Sequence, residues 1–570
     1  MSGMTDLSPL ARHFPRFLGA EGLVERTVAW LVERCQAGET CLDLNAWAGR
    51  PLGEDGPLCP DINAWREQLL AHPHIGPGKP LVLDGHRLYL ARHHEAEKTI
   101  AEGILARLEF DSLAETDKIR PTLKKLFPES GEQKTAVAVA CARRFAVITG
   151  GPGTGKTTTV LRLIALWQHL RPGLRLGLAA PTGKAAGRLA ESLAAGRAGL
   201  PPGFGAGIPE RAATLHRLLG IGRADPHGPD HPLPLDALIV DEASMVDQEL
   251  MARLMAALPP QSRLILLGDR HQLASVEAGS VLGDITGRGR RLAYSQEMAA
   301  WLERLEADPG DDPELFGGIH DAIVELRRSH RFSSDQGIGR LAQAVREGKT
   351  AAAKACLKEE KEVDFWPQAD EAPDRHVLKW MDRHYRPVLE ASTVGEALAA
   401  LAKSRVLTAV HAGPWGEEGL TTRFETGLSR WGKIADPARP YHGLPILITR
   451  NDYETGLFNG DIGILWQEEG HLRACFPSGD EIRRIPLRQL PHWQKAWAMT
   501  VHRAQGSEFD AVLLLLPPPE TPVLTRELIY TGITRARKRC ILAGPKNALE
   551  TGLKRQVERA SGLAERLGWE

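Results

Sequence analysis

The sequence predicts an α/β protein built on two parallel β-sheets wrapped in helices. A mainly helical unit precedes them, and a small β module interrupts the second. Three observations carry this. Short apolar runs alternate with helix-period segments through residues 116–350 and again through 351–570, the pattern of parallel strands covered on both faces. One of those runs leads straight into a glycine-rich phosphate-binding signature. The chain has 570 residues, too many for a single hydrophobic core.

The elements follow in order. Residues 1–115 place Leu23, Val24, Val28, Leu31 and Val32 at amphipathic-helix spacing, with turn-forming stretches at 53–57 and 72–78. No recognisable chemistry lies there, so this unit reads as a packing or docking domain. Residues 116–350 offer strands at 145–148, 174–180, 237–240 and 264–267, with helices opening at Lys156 and Gly183. A Gly/Pro-rich insertion spans 195–211. Residues 351–570 offer strands at 406–410 and 512–516. Between 440 and 495, four short strands at 445–449, 462–466, 472–476 and 481–485 suggest an inserted antiparallel module.

Composition narrows the function. Lys plus Arg number 71 against 72 Asp plus Glu, which excludes a globally basic nucleic-acid coat and leaves room for a local basic groove. With 42% hydrophobic and 25% charged residues, the chain is neither disordered nor fibrous. Seven Cys, with no Cys-x-x-Cys, argue for reduced thiols in a cytoplasmic protein rather than a disulfide or zinc framework. No apolar run approaches the ~20 residues of a membrane span. Asp6 falls where a secretory signal would need an apolar core. The expectation is a soluble, intracellular, multidomain protein.

Chemistry enters at Gly150-Gly151-Pro152-Gly153-Thr154-Gly155-Lys156-Thr157-Thr158, which fits the P-loop pattern and sits between a strand and a helix. Glycines let the backbone turn N–H groups toward phosphate oxygens. Lys156 supplies charge toward the β- and γ-phosphates, Thr157 a hydroxyl for Mg²⁺, and the helix its positive end. The strand at 237–240 runs into Asp241-Glu242. Asp241 is suited to the Mg²⁺ shell and Glu242 to orienting or deprotonating the attacking water. A tandem acidic pair favours hydrolysis. No Asn-Lys-x-Asp guanine-reading sequence occurs, so the nucleotide is ATP. Gln272 follows the next apolar run and can sense the γ-phosphate. Arg331 and Arg535 lie in different halves of the chain, where an arginine can reach across a cleft to transition-state charge. Together these residues form the catalytic set: Lys156, Asp241, Glu242, Gln272, Arg331 and Arg535.

Nine stretches in order (150–159, 180–186, 214–220, 241–245, 268–273, 326–332, 458–463, 499–509 and 530–537) resemble the superfamily 1 helicases. Within them the likeness is to the RecD family, alpha subunits of exodeoxyribonuclease V (RecBCD). The resemblance implies two RecA-like motor domains of P-loop NTPase type, 116–350 and 351–570, with ATP between them. The insertion at 440–495 corresponds to an SH3-like 2B module, and 195–211 to a short 1B element. Arg331 and Arg535 become γ-phosphate arginines, and Gln133 takes the place of the adenine-reading glutamine. Gly506 and Glu508, with Gln505, would couple nucleotide to DNA. Thr182, Lys184, Thr214, His216, Thr500 and His502 would grip a single strand.

The family relation also implies 5′-to-3′ movement from duplex DNA ends and RecB-like and RecC-like partners in a heterotrimer. The role is double-strand-break repair and recombination. Nuclease activity belongs to the complex, since no acidic cluster with Lys suits a two-metal nuclease here. Two other readings remain at this stage. One is a standalone RecD2-like helicase, although no helix-hairpin-helix repeats are found in 1–115. The other is a nucleotide-gated regulatory ATPase subunit.

Overall fold

The computed structural model describes residues 7–569 apart from 54–55, 110–115, 130, 291, 311–316, 330–336, 453, 480 and 491. Arg331 therefore lies outside the described residues. The first lobe holds a six-stranded, all-parallel sheet. From edge to edge its strands are Ala213–Thr214, Leu176–Ala180, Ala237–Val240, Arg263–Gly268, Phe145–Gly150 and Ile323–Leu326. Period-two alternation divides each central strand between two cores. Phe145 and Val147 pack on one face and Ala146 and Ile148 on the other; Leu264 and Leu266 oppose Ile265 and Leu267 in the same way. Burial on both faces explains why these runs are continuously apolar.

The second lobe repeats the plan with five parallel strands, Val363–Gln368, Ala536–Pro545, Phe509–Leu515, Ser404–Thr408 and Ala498–Thr500. Val512 and Leu514 face one core, Leu513 and Leu515 the other. The helix Gly337–Arg346 also packs here, through Ile338, Leu341 and Val345, so the second lobe recruits chain from before residue 350. Residues 444–495 form a separate five-stranded antiparallel sheet. Its core residues Leu444, Ile446, Ile464 and Phe476 are continuous with Tyr385 and Phe424 of the second lobe. The 195–211 segment folds back onto the first lobe. Phe204 and Ile208 are buried there, with the Phe204 ring 4.7 Å from that of His169.

The N-terminal unit pairs its helices with a three-stranded antiparallel sheet, Cys41–Asp43, Arg87–Leu90 and Leu81–Asp84. The amphipathic stripe falls on the helix Gly22–Gln36, which buries Val28, Leu31 and Val32. All seven cysteines are buried, and none is joined in a disulfide among the described residues. Among the described residues, no helix is long and apolar enough to cross a membrane.

The C-terminal segment leaves the second lobe and returns to the other two units. Gly562 N–H and the Ser561 hydroxyl donate to the buried carboxylate of Glu97, and Thr40 N–H donates to Ala560 O at 3.0 Å. Trp569 is buried, stacks edge-on against His320 and donates its indole N–H to Ile285 O at 3.0 Å. A Cβ on Gly287 would stand 2.6 Å from the Trp569 ring, so glycine is required for the ring to seat. Trp569→Ala is expected to cost about 3 kcal/mol through the emptied space. The lowest-temperature calorimetric transition should fall by several degrees; an unchanged thermogram would show that the segment does not hold the units together.

Candidate active site

The P-loop starts where the strand Phe145–Gly150 leaves the sheet. Gly153 (φ +77°) and Gly155 (φ +84°) take left-handed conformations that side chains resist, which swings the loop back over the helix Lys156–Leu170. Among the described residues no side chain caps that helix, so its first-turn N–H groups are left for an anion. The Thr154 hydroxyl donates to Gly151 O at 2.8 Å and Gln133 Nε2 to Thr154 O at 3.3 Å, fixing the loop from inside and from the preceding helix. The Lys156 ammonium donates to the carbonyls of Gly150 and Gly151, neutral acceptors for a full charge.

The loop opens onto a cavity of about 850 Å³ walled by both lobes. Gln133, Pro152 to Thr158, Asp241, Glu242 and Gln272 line it from the first lobe; Gly506, Glu508 and Arg535 line it from the second. Asp241 ends a fully buried strand. Enclosure by protein, then the neighbouring Glu242 charge, push its carboxyl up to about 6 against the opposing pull of Lys156. Glu242 sits at φ +52°, a strained conformation for a non-glycine residue. A Cβ on Gly506 would lie 4.0 Å from Glu242 Oε1, so the second lobe's backbone closes directly over this carboxylate.

The lobes are stitched together beside the loop. Asp269 Oδ2 accepts from first-lobe Gln272 Nε2 and from the second-lobe Tyr530 hydroxyl, both at 3.0 Å. The same hydroxyl would stand 2.9 Å from a Cβ on Gly151, so glycine there lets Tyr530 reach the loop. Leu273 N–H donates to Thr531 Oγ1 at 2.9 Å, and Gln505 Nε2 donates to Leu273 O at 3.0 Å. Arg535 is buried, and among the described residues it donates to Thr531 O, Ser507 O and Thr534 Oγ1. Among the described residues no carboxylate pairs with it.

The strand-gripping candidates occupy the carboxyl edges of the two sheets. Thr182 follows the strand Leu176–Ala180, Thr214 ends its neighbour, and both spend their hydroxyls as helix caps, accepting from Ala185 N–H and Arg217 N–H at 3.2 Å. Lys184 donates to second-lobe Ser507 Oγ at 2.6 Å; enclosure and the nearby Arg188 push its ammonium down to about 7. His216 is exposed and faces the N-terminal unit. Burial, then Arg559, lower the pKa of His502.

Thr500 N–H donates to Glu417 Oε2 at 3.1 Å, and the same buried carboxylate accepts from Arg503 Nη1 (2.6 Å) and Gln494 Nε2 (2.8 Å). Trp415 is core, with its indole N–H on Asp370 O. Phe458 lies between the lobes, against Gly183. Sequence reasoning missed Arg188, Asp269, Tyr530 and Glu417. Arg188 had a readable signal, since it follows Lys184 by one helical turn.

The cleft suits a nucleotide and its metal. Among the described residues, Gln272 Oε1 is buried without a partner, the hydrogen bonds of Lys156 go to neutral carbonyls, and the helix start has no side-chain cap. Thr157 and Asp241 bring oxygen donors of the kind Mg²⁺ prefers. The family model described as the N-terminal domain of RecBCD enzyme subunit RecD matches residues 5–89. An AAA domain matches 133–278, and a UvrD-like helicase C-terminal domain 495–543. RecBCD enzyme subunit RecD of Mycolicibacterium smegmatis is 37% identical over 572 aligned positions, covering 95% of this chain and 93% of that one. The chain belongs to the RecD family. The Haemophilus influenzae RecD subunit is 36% identical over 86% of this chain and 81% of its own. The ATP-dependent RecD2 DNA helicase of Deinococcus radiodurans is 33% identical, but this chain covers 58% of it. As a RecD-family P-loop helicase core, the two-lobed cleft is a nucleotide site that takes a metal.

Proposed function

We infer that the chain is the ATP-driven, 5′-to-3′ DNA helicase subunit of a RecBCD-type helicase–nuclease, working with RecB-like and RecC-like chains. Its place is cytoplasmic double-strand-break repair. The observation that carries the reading is the shared wall of the cleft: P-loop, Asp241 and Glu242 from one lobe, Gly506, Glu508 and Arg535 from the other. A ligand that touches both lobes changes the balance between closed and open cleft. Two lobes that hold a strand with unequal strength in the two states convert that balance into movement.

The roles follow. The P-loop N–H groups and Lys156 would hold the β- and γ-phosphates of ATP, and Gln133 the adenine. Thr157 and Asp241 would hold Mg²⁺, which would supply positive charge to offset that of the phosphates. Glu242 would orient water and accept its proton; Gln272 would register the γ-phosphate; Arg331 and Arg535 would meet the transition-state charge. Thr182, Lys184, Thr214, His216, Thr500 and His502 would hold the sugar–phosphate backbone, a sequence-tolerant grip compatible with the chain's near-zero charge. Residues 1–115 would dock on the RecC-like chain, and the two lobes would be the motor domains, with 440–495 as the 2B module.

The decisive experiment is ATP turnover with and without single-stranded DNA, together with co-purification. Strong stimulation plus recovery of large RecB- and RecC-like chains is expected. A turnover indifferent to DNA returns the reading to a regulatory ATPase; stimulated turnover without partners returns it to a standalone helicase.

The raised Asp241 carboxyl gives a pH prediction. A metal ligand must lose its proton, so a group half-protonated near pH 6 weakens metal binding below that pH. Mn²⁺ affinity, read by electron paramagnetic resonance, should fall about fourfold between pH 7.5 and 5.5. Asp241→Asn should abolish this dependence. A flat profile in the unaltered chain would remove Asp241 from the metal site.

A further inference from the structure

We propose that a second cavity, behind Gln272 and Tyr530 as seen from the nucleotide cleft, binds a phosphate-rich polyanion. This cavity measures about 840 Å³ and lies where the N-terminal unit, both lobes and the returning C-terminal segment meet. Gln272 belongs to its wall and to the wall of the nucleotide cleft, so one side chain separates the two spaces.

The wall is basic. Arg34 and Arg50 come from the N-terminal unit, Arg270 and Arg288 from the first lobe. Arg346 and Arg526 come from the second lobe and Arg559 from the return segment. Against these seven stand four carboxylates, Glu39, Asp43, Glu527 and Glu558, an excess of three positive charges. The acids are largely engaged: Glu39 pairs with Arg34, Asp43 caps Asn45 N–H, and Glu527 accepts from Val557 N–H. Some arginines serve as framework. Arg559 Nη1 donates to the carbonyls of Ser275, Glu277 and Gly279, and Arg288 pairs with Asp284.

Others have no such duty. Arg50 and Arg346 make no side-chain hydrogen bond or ion pair among the described residues. Arg270 also lines the wall, with its side chain 9% exposed and its Nη2 donating to Glu325 at 3.0 Å. Arg346 acts electrostatically on both Arg270 and the Tyr530 phenol, so its charge lies near the partition.

A wall with surplus arginines, two of them without a side-chain partner among the described residues, suits an anion with several oxygens. The arginine fork matches phosphate geometry. The phosphates could belong to a free polyphosphate or nucleotide, or to a DNA strand; the recognition chemistry is the same. Arg270 N–H also donates to Thr149 Oγ1 at 3.1 Å, one residue before the P-loop, so the anion would sit one hydrogen bond from the nucleotide site.

The test uses the full chain with the nucleotide cleft saturated by a non-hydrolysable ATP analogue and magnesium in excess. Retention of radiolabelled inorganic tripolyphosphate is then measured by equilibrium dialysis. One equivalent per chain is expected. In the Arg50→Glu, Arg346→Glu double variant its affinity should drop at least about tenfold, while analogue affinity stays unchanged. Arg50→Gln, an exposed change that does not touch the core, should weaken retention in the same direction if the double variant folds poorly. Displacement by a short oligodeoxythymidine assigns the phosphates to a DNA strand; failure to displace assigns them to a free polyphosphate or nucleotide. No retention with the cleft filled, or retention indifferent to both substitutions, overturns the proposal. Analogue binding is read separately, so that result would leave the nucleotide-site assignment standing.

Discussion

Lys156→Gln is expected to lower DNA-stimulated ATP turnover by about 100-fold or more while leaving the calorimetric unfolding profile unchanged. The expectation rests on where the ammonium sits. It is held at the start of an uncapped helix by the carbonyls of Gly150 and Gly151, facing a cavity that Asp241, Glu242 and Arg535 also line. A glutamine amide is one bond shorter and uncharged. It cannot neutralise charge developing on a phosphate. The fold is spared because Lys156 is half-buried and its bonds are local to the loop. Turnover within a few-fold of the unaltered chain would remove this cavity as the site of hydrolysis. A collapsed thermogram would instead show that the ammonium holds the loop together.

The parts of this site that were legible in the sequence share one property: each is a short pattern with a local mechanism. Glycines at 153 and 155 announce left-handed turns, and an apolar run ending in Asp241-Glu242 announces a strand whose carboxyl end carries charge. Most central strands of both sheets were equally legible, because burial on two faces leaves no polar interruption. The edge strands were not, and neither was one interior strand. Ala536–Pro545, paired on both sides, is the longest of the second sheet, yet it opens with exposed Arg537, Lys538 and Arg539, and its apolar half begins at Cys540. Ala213–Thr214 has two residues, below any periodicity.

The remaining features depend on contacts across long sequence separations. Asp269 and Tyr530 are 261 positions apart, Lys184 and Ser507 are 323 apart, and Glu97 meets Gly562 from the far end of the chain. No local pattern encodes such pairs. A lone Tyr or Glu within a helix reads as ordinary packing until the fold supplies its partner. The same holds for the basic cavity, whose arginines come from four separated segments, each unremarkable alone.

Arg535→Ala should separate binding from chemistry. Nucleotide affinity is expected to stay within a few-fold, while the rate of hydrolysis falls about 10³-fold, the scale of an arginine that meets transition-state charge. The guanidinium is buried in the cavity wall opposite the P-loop, and each of its three acceptors is a neutral carbonyl or hydroxyl oxygen. With no carboxylate partner among the described residues, its charge is not spent within the second lobe, and only the closed cleft brings a phosphate to it. Ground-state binding is carried by the P-loop, which this substitution leaves intact. Arg535→Lys keeps the charge and loses the planar fork, so it should recover roughly a tenfold portion of the loss. Single-turnover hydrolysis and analogue binding, measured side by side, separate the outcomes. Lost affinity with a normal chemical step would make Arg535 a binding residue; an unchanged rate would mean that the second lobe contributes no charge to the reaction, and the two-lobed mechanism would fail with it.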